Sequence, residues 1–202
     1  MKTSEREMDI IFLIDRSGSM HGCEEDTIGG FNSFIENERK KEYHTKVTTI
    51  LFDHEYEVLY ERKSINDISK LTRKEYEVRG STALLDAIGK AIQDFDRKIN
   101  NRVLFVITTD GMENSSRNYN NEEIKNLIEN HNWEFIFIGA DIDSYSQARN
   151  IGIKESHTAN YRKTSEGIDA LYCSVSMARE HMDQHASLED SNWKKNLEKY
   201  DD

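Results

Sequence analysis

Three unbroken apolar runs constrain this chain more than anything else in it: Ile10-Ile11-Phe12-Leu13-Ile14, Val103-Leu104-Phe105-Val106-Ile107 and Phe135-Ile136-Phe137-Ile138. They are rich in β-branched and aromatic residues, too short for helices, and lack any alternation of apolar with polar positions. A strand of that kind has both faces covered, as in a parallel sheet between two helical layers. Helical periodicity fills the intervals: Ile28, Phe31, Phe34 and Ile35, then Leu84, Leu85, Ile88, Ala91, Ile92 and Phe95, then Ile124, Leu127 and Ile128. Strand and helix alternate, so the chain reads as an α/β protein of βαβ units.

Strands of a second type run from Lys46 to Phe52 and from Tyr56 to Tyr60, joined by Asp53-His54-Glu55. So short a link allows only a hairpin, because a parallel return needs a dozen residues or more. The mostly parallel sheet therefore carries one antiparallel edge strand, whose charges (Glu55, Glu57, Glu61, Arg62) discourage edge-to-edge pairing. After Gly139 the pattern predicts a short helix over 144–150, a sixth strand near Ser156 to Ala159, and a longer helix. Thr164 or Ser165 can cap that last helix, which carries the stripe Ile168, Leu171, Tyr172, Val175, Ala178 and Met182. Residues 1–184 form one expected domain, and 185–202 a polar, frayed tail.

Bulk properties exclude several functions. A formal net charge of −11 argues against a nucleic-acid partner, which needs a basic footprint, and against an anionic membrane surface. No stretch approaches the ~18 apolar residues of a membrane span. The charged start, Met1 to Glu7, lacks a signal-peptide apolar core, and Cys23 and Cys173 make neither a disulfide framework nor a zinc cluster. The expected setting is reduced and cytoplasmic.

Three short stretches carry hard oxygen side chains at strand ends or helix starts: Asp15-Arg16-Ser17-Gly18-Ser19, Gly80-Ser81-Thr82, and Thr108-Thr109-Asp110-Gly111. Ligands of open α/β sheets bind beyond the carboxyl ends of the strands, where the winding reverses. If the strands ending at Asp15 and Asp110 are neighbours, the three loops meet at one point. Taken separately, the acids are turn residues, Ser17 or Ser19 a cap, and Thr82 an N-cap. Taken together, they suit Mg²⁺, which wants about six oxygens in an octahedron.

The pattern Asp15-x-Ser17-x-Ser19, then Thr82, then Asp110 in Thr-Asp-Gly resembles the metal-ion-dependent adhesion site of von Willebrand factor type A (VWA) domains, with all five positions matched. The likeness runs from about Asp9 to the last helix. It implies a Rossmann-like doubly wound six-stranded sheet of order 3-2-1-4-5-6, with helices on both faces. It implies Mg²⁺ or Mn²⁺ held directly by Ser17, Ser19 and Thr82, often through water by Asp15 and Asp110, with a partner's Asp or Glu completing the shell. It also implies an intracellular, prokaryotic or phage branch, whose members are associated with ATPase or kinase complexes.

The expected function is thus non-enzymatic: a metal-dependent protein-interaction domain. One alternative is a Mg²⁺-dependent phosphohydrolase with Asp15 as nucleophile, although Ser17 stands where that chemistry usually wants a second Asp. Another is a scaffold whose metal is purely structural. No Gly-x-Ser-x-Gly elbow surrounds Ser17. Asp141 is a candidate for the site's rim, and Asp143 for the cap of the helix at Ser144. His21, Cys23 and His54 are scattered surface or rim residues, and Glu24-Glu25 and Glu122-Glu123 are solvated acids in first helical turns. The Gly29-Gly30 pair costs its helix ~1 kcal/mol per glycine, to be offset by close packing against the sheet.

Overall fold

A computed structural model of the 202-residue chain describes residues 7–41, 44–185, 187–189 and 191–200. In chain order the elements are β1 (Met8–Asp15), α1 (Glu24–Glu38), β2 (Thr45–Phe52), β3 (Tyr56–Ser64), α2 (Leu84–Phe95), β4 (Arg102–Thr109), α3 (Asn121–Glu129), β5 (Glu134–Gly139), α4 (Ser144–Asn150), β6 (Thr158–Asn160) and α5 (Ser165–Gln184). The six-stranded sheet has the order β3-β2-β1-β4-β5-β6. Only the β2–β3 pair is antiparallel. This is the doubly wound Rossmann-like α/β fold expected, with its winding reversal between β1 and β4.

The all-apolar strands are buried on both faces for the reason anticipated. Along β1, Ile10, Phe12 and Ile14 belong to the core under α1 and α5, whereas Ile11 and Leu13 belong to the core under α2 and α3. Phe12 meets Phe31 and Phe34 edge-on, at centroid separations of 5.6 and 5.1 Å. Burying each such side chain contributes roughly 1.5–3 kcal/mol, so β1 is the anchor of both layers.

Several expectations shift. Glu155–His157 form a 3-10 turn, which moves β6 to Thr158–Asn160; His157 is buried there with its Nε2 2.8 Å from Glu134. Gly30 packs helix on helix rather than helix on sheet: a Cβ there would lie 2.6 Å from the Tyr172 ring and 2.8 Å from Ile168 of α5. Gly29 is exposed, with nothing within 4 Å of an added Cβ. The segment beyond α5 is not frayed where it is described. Leu188, Trp193 and Leu197 are buried in the α1/α5 core, and Trp193 Nε1 donates to Ser156 O at 2.9 Å. Lys194 Nζ adds bonds of 3.0 and 2.9 Å to the carbonyls of Glu155 and Thr158.

Candidate metal site at the sheet's carboxyl edge

β1 and β4 are neighbours, so Asp15 and Asp110 emerge side by side. Asp15 is fully buried. Its Oδ1 accepts from Ser17 N at 2.6 Å and its Oδ2 from Thr109 Oγ1 at 2.5 Å. Burial pushes its carboxyl up from the ordinary 3.8 to about 6, against the pull of those hydrogen bonds. The turn after β1 is held by Arg16, itself buried, whose Nε meets the buried Asp53 at 3.0 Å and whose NH1 meets Glu57 at 2.7 Å. Arg79 reaches the same Asp53 oxygen at 3.0 Å. Two charges of the edge hairpin are thus spent on holding the first loop.

Loop two is brought in by backbone: Gly18 N donates to Gly80 O at 3.1 Å, and Arg79 N to Arg16 O at 2.8 Å. Gly80 has φ +69, and a side chain there would collide with His54 Nδ1, so glycine is required at this turn. Thr82 follows, buried, with its N–H on Asn114 Oδ1 at 2.9 Å while Asn114 N–H returns to Thr82 O at 3.0 Å. Helix α2 starts at Leu84 with Ala83 in the cap position and no side-chain cap, so the Thr82 hydroxyl is not consumed by capping. Ser17 occupies the cap position of the 3-10 turn Gly18–Met20, but its side chain makes no capping hydrogen bond.

The third loop is fastened to α2 by two carboxylates. Glu113 accepts from Leu85 N, Ser115 N, Ser116 N and Ser116 Oγ at 2.7–2.9 Å. Asp86 accepts from the N–H groups of Arg117, Asn118 and Tyr119 at 2.9–3.0 Å.

These constraints bring the hydroxyls together. Ser17 Oγ and Ser19 Oγ are 3.1 Å apart, and Ser19 Oγ donates to Asp110 Oδ1 at 2.5 Å. A Cβ added to Gly111 would lie 2.5 Å from Thr82 Oγ1, 3.1 Å from Ser19 Oγ and 3.3 Å from Ser17 Oγ. Ser17, Ser19, Thr82 and Asp110 therefore meet at one cradle, roofed by the bare Cα of Gly111, and Asp15 lies buried behind it on Ser17 N. The donors, three neutral hydroxyls and two carboxylates, suit a hard divalent cation. No group of three or more His, Cys, Asp or Glu side chains that could hold a metal forms among the described residues.

Other candidates fall outside the cradle. Asp143 caps α4 through Ser146 N at 2.9 Å, as expected. His21 is exposed and lies 3.2 Å from Glu24, and Cys23 is buried, its thiol pushed up by burial. Asp141 stands at the rim, exposed and at φ +55, with Lys163 Nζ 2.8 Å away. Lys163, which sequence reasoning missed, also reaches Asp110 Oδ2 at 3.0 Å. Those two carboxylates hold its ammonium well above the ordinary lysine range.

A doubly wound α/β domain with a hydroxyl-lined cradle at its switch point defines a class of domain, and the family comparison agrees. The chain belongs to the von Willebrand factor type A domain family, whose model matches residues 9–172. No curated protein matches the sequence. Among solved structures it is similar to proximal thread matrix protein 1 of the mussel byssus, with a zinc-occupied MIDAS motif (15% identity, TM-score 0.64, 83% of this chain and 44% of that one). It is similar also to a von Willebrand factor type A protein from Catenulispora acidiphila (15%, TM-score 0.61, 83% and 41%). A third is the vWF domain of the type V pili tip protein Mfa5 from Porphyromonas gingivalis (11%, TM-score 0.64, 86% and 96%). The chain spans less than half the length of the first two. At these identities the likeness establishes the fold. The family is one whose domains commonly mediate protein–protein interactions and bind divalent metals. No described helix is long and apolar enough to cross a membrane.

Proposed function

We propose that this chain is a divalent-metal-dependent protein-interaction domain in which Ser17, Ser19, Thr82, Asp15 and Asp110 hold Mg²⁺ or Mn²⁺. The observation that carries the reading is the convergence of three hydroxyl oxygens and the Asp110 carboxylate beneath Gly111. Bound there, the ion supplies a hard positive charge with a coordination position for a partner's carboxylate. The chain's own residues do the rest. Two carboxylates offset the ion's charge, and neutral hydroxyls leave it attractive to a further anion. The Arg16–Asp53, Asn114–Thr82 and Glu113–α2 contacts fix the donors in place beforehand.

A non-enzymatic role is supported by the state of Asp15. Its oxygens accept hydrogen bonds from Ser17 N and Thr109 Oγ1 and its side chain is fully buried, a placement that suits a carboxylate supporting an ion from behind the Ser17 turn better than a free nucleophile. The partner class is a protein with an exposed Asp or Glu, such as a component of an ATPase or kinase complex. A reduced, cytoplasmic setting is supported by the two cysteines, both free.

The test has two stages. Mn²⁺ alone is titrated into wild type and Thr82→Ala, followed by pull-down from native lysate in Mg²⁺ or EDTA. Loss of captured protein in EDTA and in Thr82→Ala is expected; capture that survives both would refute the reading. Metal-dependent melting with no metal-dependent partner would indicate a structural ion instead.

A further inference from the structure

Lys163 touches the cradle's rim from the loop between β6 and α5. Its ammonium lies 3.0 Å from Asp110 Oδ2, 3.4 Å from Ser19 O and 2.8 Å from Asp141 Oδ2. Asp110 is therefore held from two sides, by the Ser19 hydroxyl on one oxygen and by Lys163 on the other. The backbone bearing Lys163 has little freedom. Tyr161 is buried, with its N–H on Gly139 O at 2.8 Å, and Thr164 Oγ1 caps α5 through Gly167 N at 3.1 Å. Gly167 sits so close to Arg162 O that a Cβ there would overlap it. The Lys163 side chain, by contrast, is only half buried and has a second carboxylate, Asp141, at the rim.

We infer that Lys163 is a built-in competitor cation, which neutralises Asp110 and must be drawn off toward Asp141 for a divalent ion to bind fully. This rests on the metal-site reading above and adds a residue that tunes it. Two like charges sharing one carboxylate repel, and the ion's double charge makes that repulsion worth roughly tenfold in affinity at a separation of about 5 Å in water. Because the loop is pinned on both sides, exchange is a swing of one side chain rather than an opening of the loop. The consequence is a site set to respond at higher metal concentration than its donors alone would dictate.

The experiment uses the full chain and Mn²⁺ alone, titrated by paramagnetic resonance into wild type, Lys163→Gln, Lys163→Arg and Gly111→Ala, with folding checked by thermal melting. Lys163→Gln is expected to bind about tenfold more tightly than wild type, and Lys163→Arg within about twofold of it. In parallel, the acylation rate of the Lys163 amine, read by peptide mass spectrometry, should rise severalfold when Mg²⁺ is added to wild type. Equal or weaker Mn²⁺ binding in Lys163→Gln, or an unchanged acylation rate, overturns the inference while leaving the metal site standing. Folded wild type and Lys163→Gln that both fail to bind Mn²⁺ overturn the metal-site reading, and the inference with it.

Discussion

Replacing Gly111 by alanine tests the cradle with a single carbon atom. That carbon would sit 2.5 Å from Thr82 Oγ1, far inside van der Waals contact, with Ser19 Oγ at 3.1 Å and Ser17 Oγ at 3.3 Å. Gly111 is not among the residues with positive φ, so backbone strain does not enter. Two relaxations are open. Thr82 can leave its rotamer, at about 0.5–1.5 kcal/mol, and take its oxygen out of the cluster. Otherwise the loop retreats and moves Asp110 with it, an overpacking cost of about 1–3 kcal/mol. Either way one of the donors is lost, worth about 1–3 kcal/mol of binding, or roughly tenfold to a hundredfold in Kd. Isothermal titration with Mn²⁺ reads the affinity, and a parallel melt, expected to drop by about 2–4 °C per kcal/mol, reports the folding cost. Gly111→Ala binding Mn²⁺ within twofold of wild type would show that the hydroxyls do not face a common ion.

Three further outcomes follow from separate features. Because burial raises the Asp15 carboxyl from 3.8 to about 6, the fold favours its protonated form. In EDTA, the stability of wild type relative to Asp15→Asn should therefore be greatest below about pH 4 and fall by about 3 kcal/mol as pH rises through 6. Saturating Mg²⁺ should remove that fall, and a pH-independent difference in urea melts would contradict the assignment. Adjacent glycines of α1 should respond with opposite signs. Gly29→Ala gains about 0.5–1 kcal/mol of helix stability, whereas Gly30→Ala loses about 1–2 kcal/mol net against Tyr172 and Ile168, both read by thermal melting. Trp193→Ala should cost about 3–5 kcal/mol in urea denaturation, and an unchanged midpoint would place the C-terminal segment outside the cooperative unit.

What was legible in the sequence is what local pattern encodes. Continuous apolar strands such as Ile10 to Ile14 declare burial on both faces, and that alone leads to helices on both sides and to loops meeting at the switch point. The five oxygen-bearing residues could be named as candidates on the same ground, because their identity and their place at element ends are both local facts. The supports of the site were not legible. Arg16 sits inside the motif, yet nothing near it in sequence reveals Asp53 and Glu57 as its partners. Asn114, Glu113 and Asp86 likewise act across 28 or more positions. Lys163 is an ordinary lysine until β6 and α5 set it against Asp110. The C-terminal segment was misjudged because Leu188, Trp193 and Leu197 are sparse and follow neither a helical nor a strand period; only the surface they cover shows why they are apolar.

The carboxylate fastenings between the third loop and α2 bear on the timing of ion entry. Glu113 and Asp86 order residues 113–119 against the helix start, so on the proposed reading this loop need not close around an arriving cation. The slow event is then the shedding of the ion's own hydration shell, which Mg²⁺ does reluctantly. Two cations of similar affinity would accordingly enter at rates that differ by their dehydration, and neither rate would change with solvent viscosity.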